Sequence, residues 1–127
     1  IVDWDMSQPG LLFITTRGGP RFRIIERKIQ SDRLQTARVS WLDEPPPQSV
    51  PDHLAGAVPL LRAIVADAGP EAFAQPHRFD DATWVGYRLA EILPIPTEAR
   101  LRLLELDDTI SRLEIIHAFL KQHRLID

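Results

Sequence analysis

Pro45-Pro46-Pro47 is the feature that most restricts this chain, because three consecutive prolines donate no backbone hydrogen bonds and favour an extended polyproline path. Neither a sheet ladder nor a helix continues through them. The hydrophobic period also changes there. Ahead of the run apolar residues alternate with a period of two, and beyond it they recur with a period near 3.6. The expected layout is an α+β chain with segregated layers: residues 1–50 form a β-subdomain and residues 51–127 a helical subdomain. A chain of 127 residues has room for one domain or two small packed layers.

In the first part, Ile1 to Asp5 reads as the middle of a strand. Leu11 to Thr16 is an apolar, β-branched run entered through the turn pair Pro9-Gly10, and Gly18-Gly19-Pro20 breaks the chain after it. Arg21 to Ile29 follows, with Phe22 and Ile24 on one face and Arg21, Arg23, Ile25 and Arg27 on the other. Ser31-Asp32-Arg33 marks a turn, and Leu34 to Leu42 a third strand. Short connections predict an antiparallel meander with one wet, arginine-bearing face.

In the second part, Leu54, Val58, Leu61, Ile64, Val65 and Ala68 share a helical face that Gly69-Pro70 stops. Pro59 requires the helix to start near Val58 or to kink there. Asp80 or Asp81 caps a helix whose inward residues are Trp84, Tyr87, Leu89 and Ile92, ended by Pro94-Ile95-Pro96. Thr97 caps Glu98 to Leu106, with Leu101, Leu103 and Leu104 inward. Asp107 or Asp108 caps a last helix with the stripe Ile110, Leu113, Ile116, Phe119 and Leu120. Short joints between such helices favour a small bundle.

Charge and composition then exclude function classes. The net charge of −3 disfavours a general nucleic-acid binder. Residues 1–50 carry a balance of +1 and residues 51–127 one of −4. With no cysteine there is no disulfide frame and no thiolate metal site, which suits a cytoplasmic protein. No apolar run approaches the roughly 20 residues of a membrane helix. The N-terminus has no basic stretch or initiating Met, so it does not read as a signal peptide, and the chain is expected to start inside its natural domain.

Four blocks of sequence carry a resemblance. They are Asp3-Trp4-Asp5 with Pro9-Gly10-Leu11-Leu12; Arg17-Gly18-Gly19-Pro20-Arg21-Phe22-Arg23-Ile24; Trp41-Leu42-Asp43-Glu44-Pro45-Pro46; and Tyr87 to Ile95 with Leu103 to Asp108 and Arg112-Leu113. In this order and spacing the chain resembles the LON substrate-binding domain family, found at the amino-terminal end of ATP-dependent Lon proteases and in standalone bacterial proteins. The resemblance implies a PUA-like β-subdomain, with its opening strands missing before Ile1, followed by a helical bundle. It also implies recognition of polypeptides without the ATPase and protease domains of Lon, so the chain is expected not to be an enzyme.

Individual constellations agree with a binding role. Gly18-Gly19 lacks the spacing and lysine of a phosphate-binding loop and reads as a hairpin turn. Lys28 and Lys121 are the only lysines for a Ser–Lys dyad, and no serine sits in a nucleophile-like turn, so no catalytic residue is expected. His117 and His123 are six apart, which does not suit a helical metal pair; His53 and His77 stand alone, so no metal or cofactor is expected. Asp80-Asp81 and Asp107-Asp108 fit helix caps. Trp4, Trp41 and Trp84 read as core residues.

The candidate substrate-binding residues are Arg17, Arg21, Arg23 and Arg27, joined by Lys28, and the apolar Leu11 and Phe13. The function that follows is a LON-like module binding unfolded or specific polypeptides, in protein quality control, with a protease as a partner. The alternative is a PUA-like RNA-binding module, suggested by the basic strand. Oligomeric state is open at this level.

Overall fold

The structure, a computed structural model, describes residues 1–127. It contains four strands followed by four α-helices and divides into two compact units, Ile1–Glu44 and Pro45–Asp127, so the proline run belongs with the helices. The architecture is α+β, as the sequence predicts.

Strands β1 (Asp3–Gln8) and β2 (Leu11–Thr15) form one antiparallel hairpin. Pro9 sets up its turn, and Gly10 takes φ +81°, the left-handed value the second turn residue must adopt. Strands β3 (Phe22–Ile29) and β4 (Gln35–Trp41) form a second hairpin. At its turn the Asp32 carboxylate accepts from the Leu34 N–H at 3.0 Å, and Arg33 takes φ +68°. The expected three-stranded meander is therefore not what forms: β2 and β3 are not hydrogen-bonded neighbours, and there are two separate two-stranded sheets. Gly18-Gly19-Pro20, with no donor on the proline and no side chains on the glycines, leaves 16–21 without ladder structure.

Trp4 and Trp41, expected in a core, are 66% and 67% exposed. Each lies on a two-stranded hairpin, and Trp41 packs edge-on against its ladder partner Phe22, ring centroids 5.8 Å apart.

The helical unit has a core of its own. A 3-10 turn (Asp52–Leu54) leads into α1 (Ala57–Ala68), which holds Pro59 within its first turn, where its missing N–H has no cost. Gly69, φ +93°, ends α1. Helix α2 (Ala82–Ile92) is capped by Asp81, whose carboxylate accepts from the Thr83 N–H at 2.9 Å and from the Gln48 N–H at 3.1 Å. The Ala82 N–H to Gln48 carbonyl bond (2.7 Å) and the Thr83 hydroxyl to Pro46 carbonyl bond (3.1 Å) complete a clip that ties the extended 46–49 segment to the start of α2.

The buried face of α2 is Ala82, Val85, Gly86, Leu89 and Ala90, rotated from the expected stripe. Trp84 and Tyr87 sit at its margins. The small residues let α4 approach closely, while Trp84 is covered from the side by Phe79 (5.1 Å) and His77 (5.7 Å).

Helix α3 (Thr97–Glu105) is entered from Pro96, which caps it without a side-chain bond, so Thr97 is the first helical residue and not the cap. Only Leu103 of its leucines is buried; Leu101 and Leu104 face outward because the helix contacts the bundle along one narrow line. Helix α4 (Thr109–Gln122) is capped by Asp108, which accepts from the Ser111 N–H at 2.7 Å. Its Leu113, Ile116 and Leu120 fill the core.

Candidate functional site

The predicted arginine face does not form as expected, and the cause is one residue. Along the β3–β4 ladder Ile24 pairs with Val39, yet Glu26 pairs with Arg38, so Ile25 is an extra residue on β3. A bulge of this kind reverses which face the following side chains take. Paired residues share a face. Phe22, Ile24, Arg27 and Ile29 therefore lie with Trp41, Val39 and Ala37, whereas Arg23, Glu26 and Lys28 lie with Ser40, Arg38 and Thr36. Arg23 and Arg27 are on opposite faces.

Arg21 is separated again. Its side chain is 10% exposed, its Nε lies 3.8 Å from the Glu44 carboxylate, and its guanidinium donates to the Asp43 carbonyl at 3.4 Å. The Arg21 N–H also donates to Glu44, so this residue fastens the two ends of the second hairpin. Arg17 lies exposed in the 16–21 connection. Leu11 and Phe13 do share a face of the first hairpin and are about half exposed, on a sheet separate from the arginines. Lys121, the other lysine considered for catalysis, is on the exposed side of α4.

The helical unit offers a better-formed cavity, which the sequence reading missed. After Leu93, Pro94 and Pro96 turn the chain, with the Ile95 N–H donating to the Leu93 carbonyl at 2.8 Å. The Arg100 guanidinium holds that same carbonyl at 3.0 Å. This fixes Leu93 and Ile95 as one wall of a groove of about 360 Å³. Leu103 of α3 with Leu106 just after it, and Ile116 and Phe119 of α4, form the others. Arg102 and Ile115 also line it, and Arg102 pairs with Glu98 at 3.1 Å.

Arg112 sets the spacing of these helices. Fully buried, it donates from Nε to the Leu103 carbonyl at 2.8 Å and from its terminal nitrogen to the Leu106 carbonyl. Its guanidinium also lies 4.2 Å from the centre of the Tyr87 ring. The carbonyls ending α3 carry partial negative charge, so a buried cation there is favourable. The methylenes of Arg112 run past Gly86 of α2, where an added Cβ would sit 3.5 Å from its Cδ. Position 112 falls in line with 109, 113, 116 and 120 on the buried side of α4, a signal that was available in the sequence. The groove had a signal too: Ile115 and Phe119 form a second apolar face on α4 beside the core stripe.

Two titrating groups, the α4 cap and a residue within α4, are displaced. Hydrogen bonds from the Ser111 side chain and backbone hold the Asp108 carboxyl below its ordinary value, with Arg112 adding to this. Partial burial, then Lys121 and His53, push His117 down. Neither group lines the groove, which is apolar and suited to take up apolar side chains without proton transfer. No three or more His, Cys, Asp or Glu side chains gather as a metal site. No helix is long and apolar enough to cross a membrane.

Residues 5–122 match the model of the ATP-dependent protease La (LON) substrate-binding domain. The fold is similar to a crystal structure of a Lon N-terminal domain protein from Xanthomonas campestris, at 30% identity and a TM-score of 0.72. That match covers 91% of this chain and 62% of the other, so the chain spans less than two thirds of its relative. No curated protein matches by sequence. Over nearly its whole length, from the first hairpin to the last helix, this chain belongs to the LON substrate-binding domain family.

Proposed function

We propose that this chain is a non-enzymatic module that recognises polypeptides through apolar side chains, in protein quality control and alongside a protease that acts on what it binds. The observation that carries the reading is the groove between α3, α4 and the Leu93–Ile95 turn. An apolar hollow of about 360 Å³ admits two or three aliphatic or aromatic side chains of an unfolded segment. Membership of a substrate-binding family supports it, as does the mainly apolar lining of the groove, in which Arg102 is the one charged residue.

The test is fluorescence anisotropy of a labelled, unfolded polypeptide titrated with the full chain at physiological salt, with RNA as competitor. Saturable binding that RNA does not displace is expected. Ile115→Asp, at a half-exposed position of the groove wall, is expected to weaken it about tenfold or more, because a carboxylate must be desolvated as the segment docks. No binding to the polypeptide, or equal binding by the variant, would sink the reading. Displacement by RNA with a steep salt dependence would favour the nucleic-acid alternative.

A further inference from the structure

The bulge at Ile25 does more than break up the expected arginine row. It sorts the β3–β4 hairpin into a mainly apolar face, which also carries Arg27, and a polar one of defined composition. On the polar face Arg23 stands opposite Ser40 and Lys28 opposite Thr36, with the Glu26–Arg38 pair between them. Every one of these side chains is exposed. Arg23 and Lys28 have no ion-pair partner. Glu26 and Arg38 meet at 3.7 Å with 53% and 69% of their side chains exposed, a geometry worth little in water and readily shared with a third group. Glu26, Lys28, Thr36 and Arg38, with Ala37, line a shallow hollow of about 250 Å³.

We propose that this face is a docking surface for an acidic polypeptide segment, and specifically for one presenting two carboxylates on the same side of an extended strand. The proposal rests on the polypeptide-recognition reading and names a second feature of what is recognised. Charge selects the occupant: three cations surround a single carboxylate, so the face is net positive within a chain that is net negative. Chemistry narrows it further. Each uncommitted cation has a hydroxyl across the ladder, and a cation beside a hydroxyl donor is a pair suited to one carboxylate.

Spacing completes the match. Ser40 and Thr36 are four residues apart on β4, roughly 13 Å at strand rise, so the two subsites fit acidic residues four apart in an extended segment. A nucleic-acid backbone fits less well, since its closely repeated phosphates would place negative charge against Glu26 between the subsites.

The experiment titrates the full chain into a labelled extended peptide carrying Glu at two positions four residues apart, and into a matched peptide with Gln at both. The Glu peptide is expected to bind at least about fivefold tighter. Arg23→Ala and Lys28→Ala are each expected to weaken it about two- to fivefold, as exposed ion pairs do, while Arg27→Ala on the opposite face leaves it unchanged. These exposed substitutions leave the fold intact, which circular dichroism checks. Equal binding of the two peptides, an Arg27→Ala effect as large as that of Arg23→Ala, or displacement by a single-stranded RNA would each overturn the proposal. The unfolded-polypeptide titration run in parallel separates the two claims. If it still saturates, only acidic docking is lost; if neither probe binds, both readings fall.

Discussion

Leu113, Ile116 and Leu120 of the helical unit are at most 1% exposed, whereas Leu11, Ile14 and Ile29 of the β unit, side chains of the same kind, are 50% exposed or more. The difference lies in what surrounds them. Each helix of the second unit has an apolar stripe with neighbours to receive it, so α1, α2, α3 and α4 close around one core. The first unit consists of two-stranded hairpins, each with two faces and only one partner strand, and such a hairpin is marginal in water. Apolar content alone does not make a core; a second layer does.

The largest expected effect tests this contrast directly. Leu113→Ala is expected to cost about 2–5 kcal/mol, since the lost methyls leave a cavity in a closed core. Ile29→Ala, at a position 72% exposed, is expected to cost less than about 0.5 kcal/mol. Urea unfolding of the full chain, followed by circular dichroism, measures both. A cost above about 1 kcal/mol for Ile29→Ala would break the comparison, because that face would then be covered in solution.

A smaller effect sharpens the comparison at the level of hydrogen bonds. Asp81 and Asp32 are both aspartates accepting from nearby backbone N–H groups. Asp81 is buried and serves both Thr83 and Gln48, joining the proline segment to α2, whereas Asp32 serves one exposed turn. Asp81→Ala is expected to cost about 1–2 kcal/mol, a helix cap together with a second stranded donor. Asp32→Ala should stay within about 0.5 kcal/mol. Similar costs at the two sites, read from unfolding midpoints, would mean that the clip contributes nothing beyond an ordinary turn.

The same division governs how much the sequence could tell. The change of period at Pro45 placed strands before helices, and the pairs Asp80-Asp81 and Asp107-Asp108, with Gly69 and Pro59, marked helix ends by chemistry that acts within a few residues, the second aspartate of each pair being the cap. What failed was longer in range. The register shift at Ile25 is set by how β3 meets β4; the consecutive Ile24-Ile25 and the apolar Ile29 at odd phase are its only trace in the run, and strict alternation carried through them made Arg23 and Arg27 appear to share a face. The α2 face was misjudged because large residues were expected inward. In a tightly packed bundle it is Ala82, Gly86 and Ala90 that lie against neighbours, while Trp84 and Tyr87 cover the margins. Arg112 was visible as an arginine in an apolar stripe, yet the α3 carbonyls that receive it come together only in the fold. The groove required the same tertiary information, since its walls come from three separate segments.

The smallest effect concerns acid. All four histidines lie in the helical unit, so a change in stability between about pH 7.5 and about pH 5.5 belongs to that unit. His117 faces Lys121 one turn along α4 and His53 from the 3-10 turn, while Glu114 pairs with His53 at 3.8 Å. Partial burial and the two neighbouring cationic groups lower its pKa in the folded state below the ordinary 6.5. The unfolded chain therefore takes up a proton on this residue first as pH falls, and stability declines from about pH 6.5 until the folded form is protonated as well. Asp108 acts in a separate window: its carboxyl is held below 3.8, so the stability it gives is present above that value and lost only in stronger acid. His117→Gln should flatten the slope between about pH 7.5 and about pH 5.5 while leaving the acid limb of Asp108 in place. Urea midpoints across that range measure it. An unchanged slope in the variant would mean that His117 is not the group through which the helical unit responds to acid.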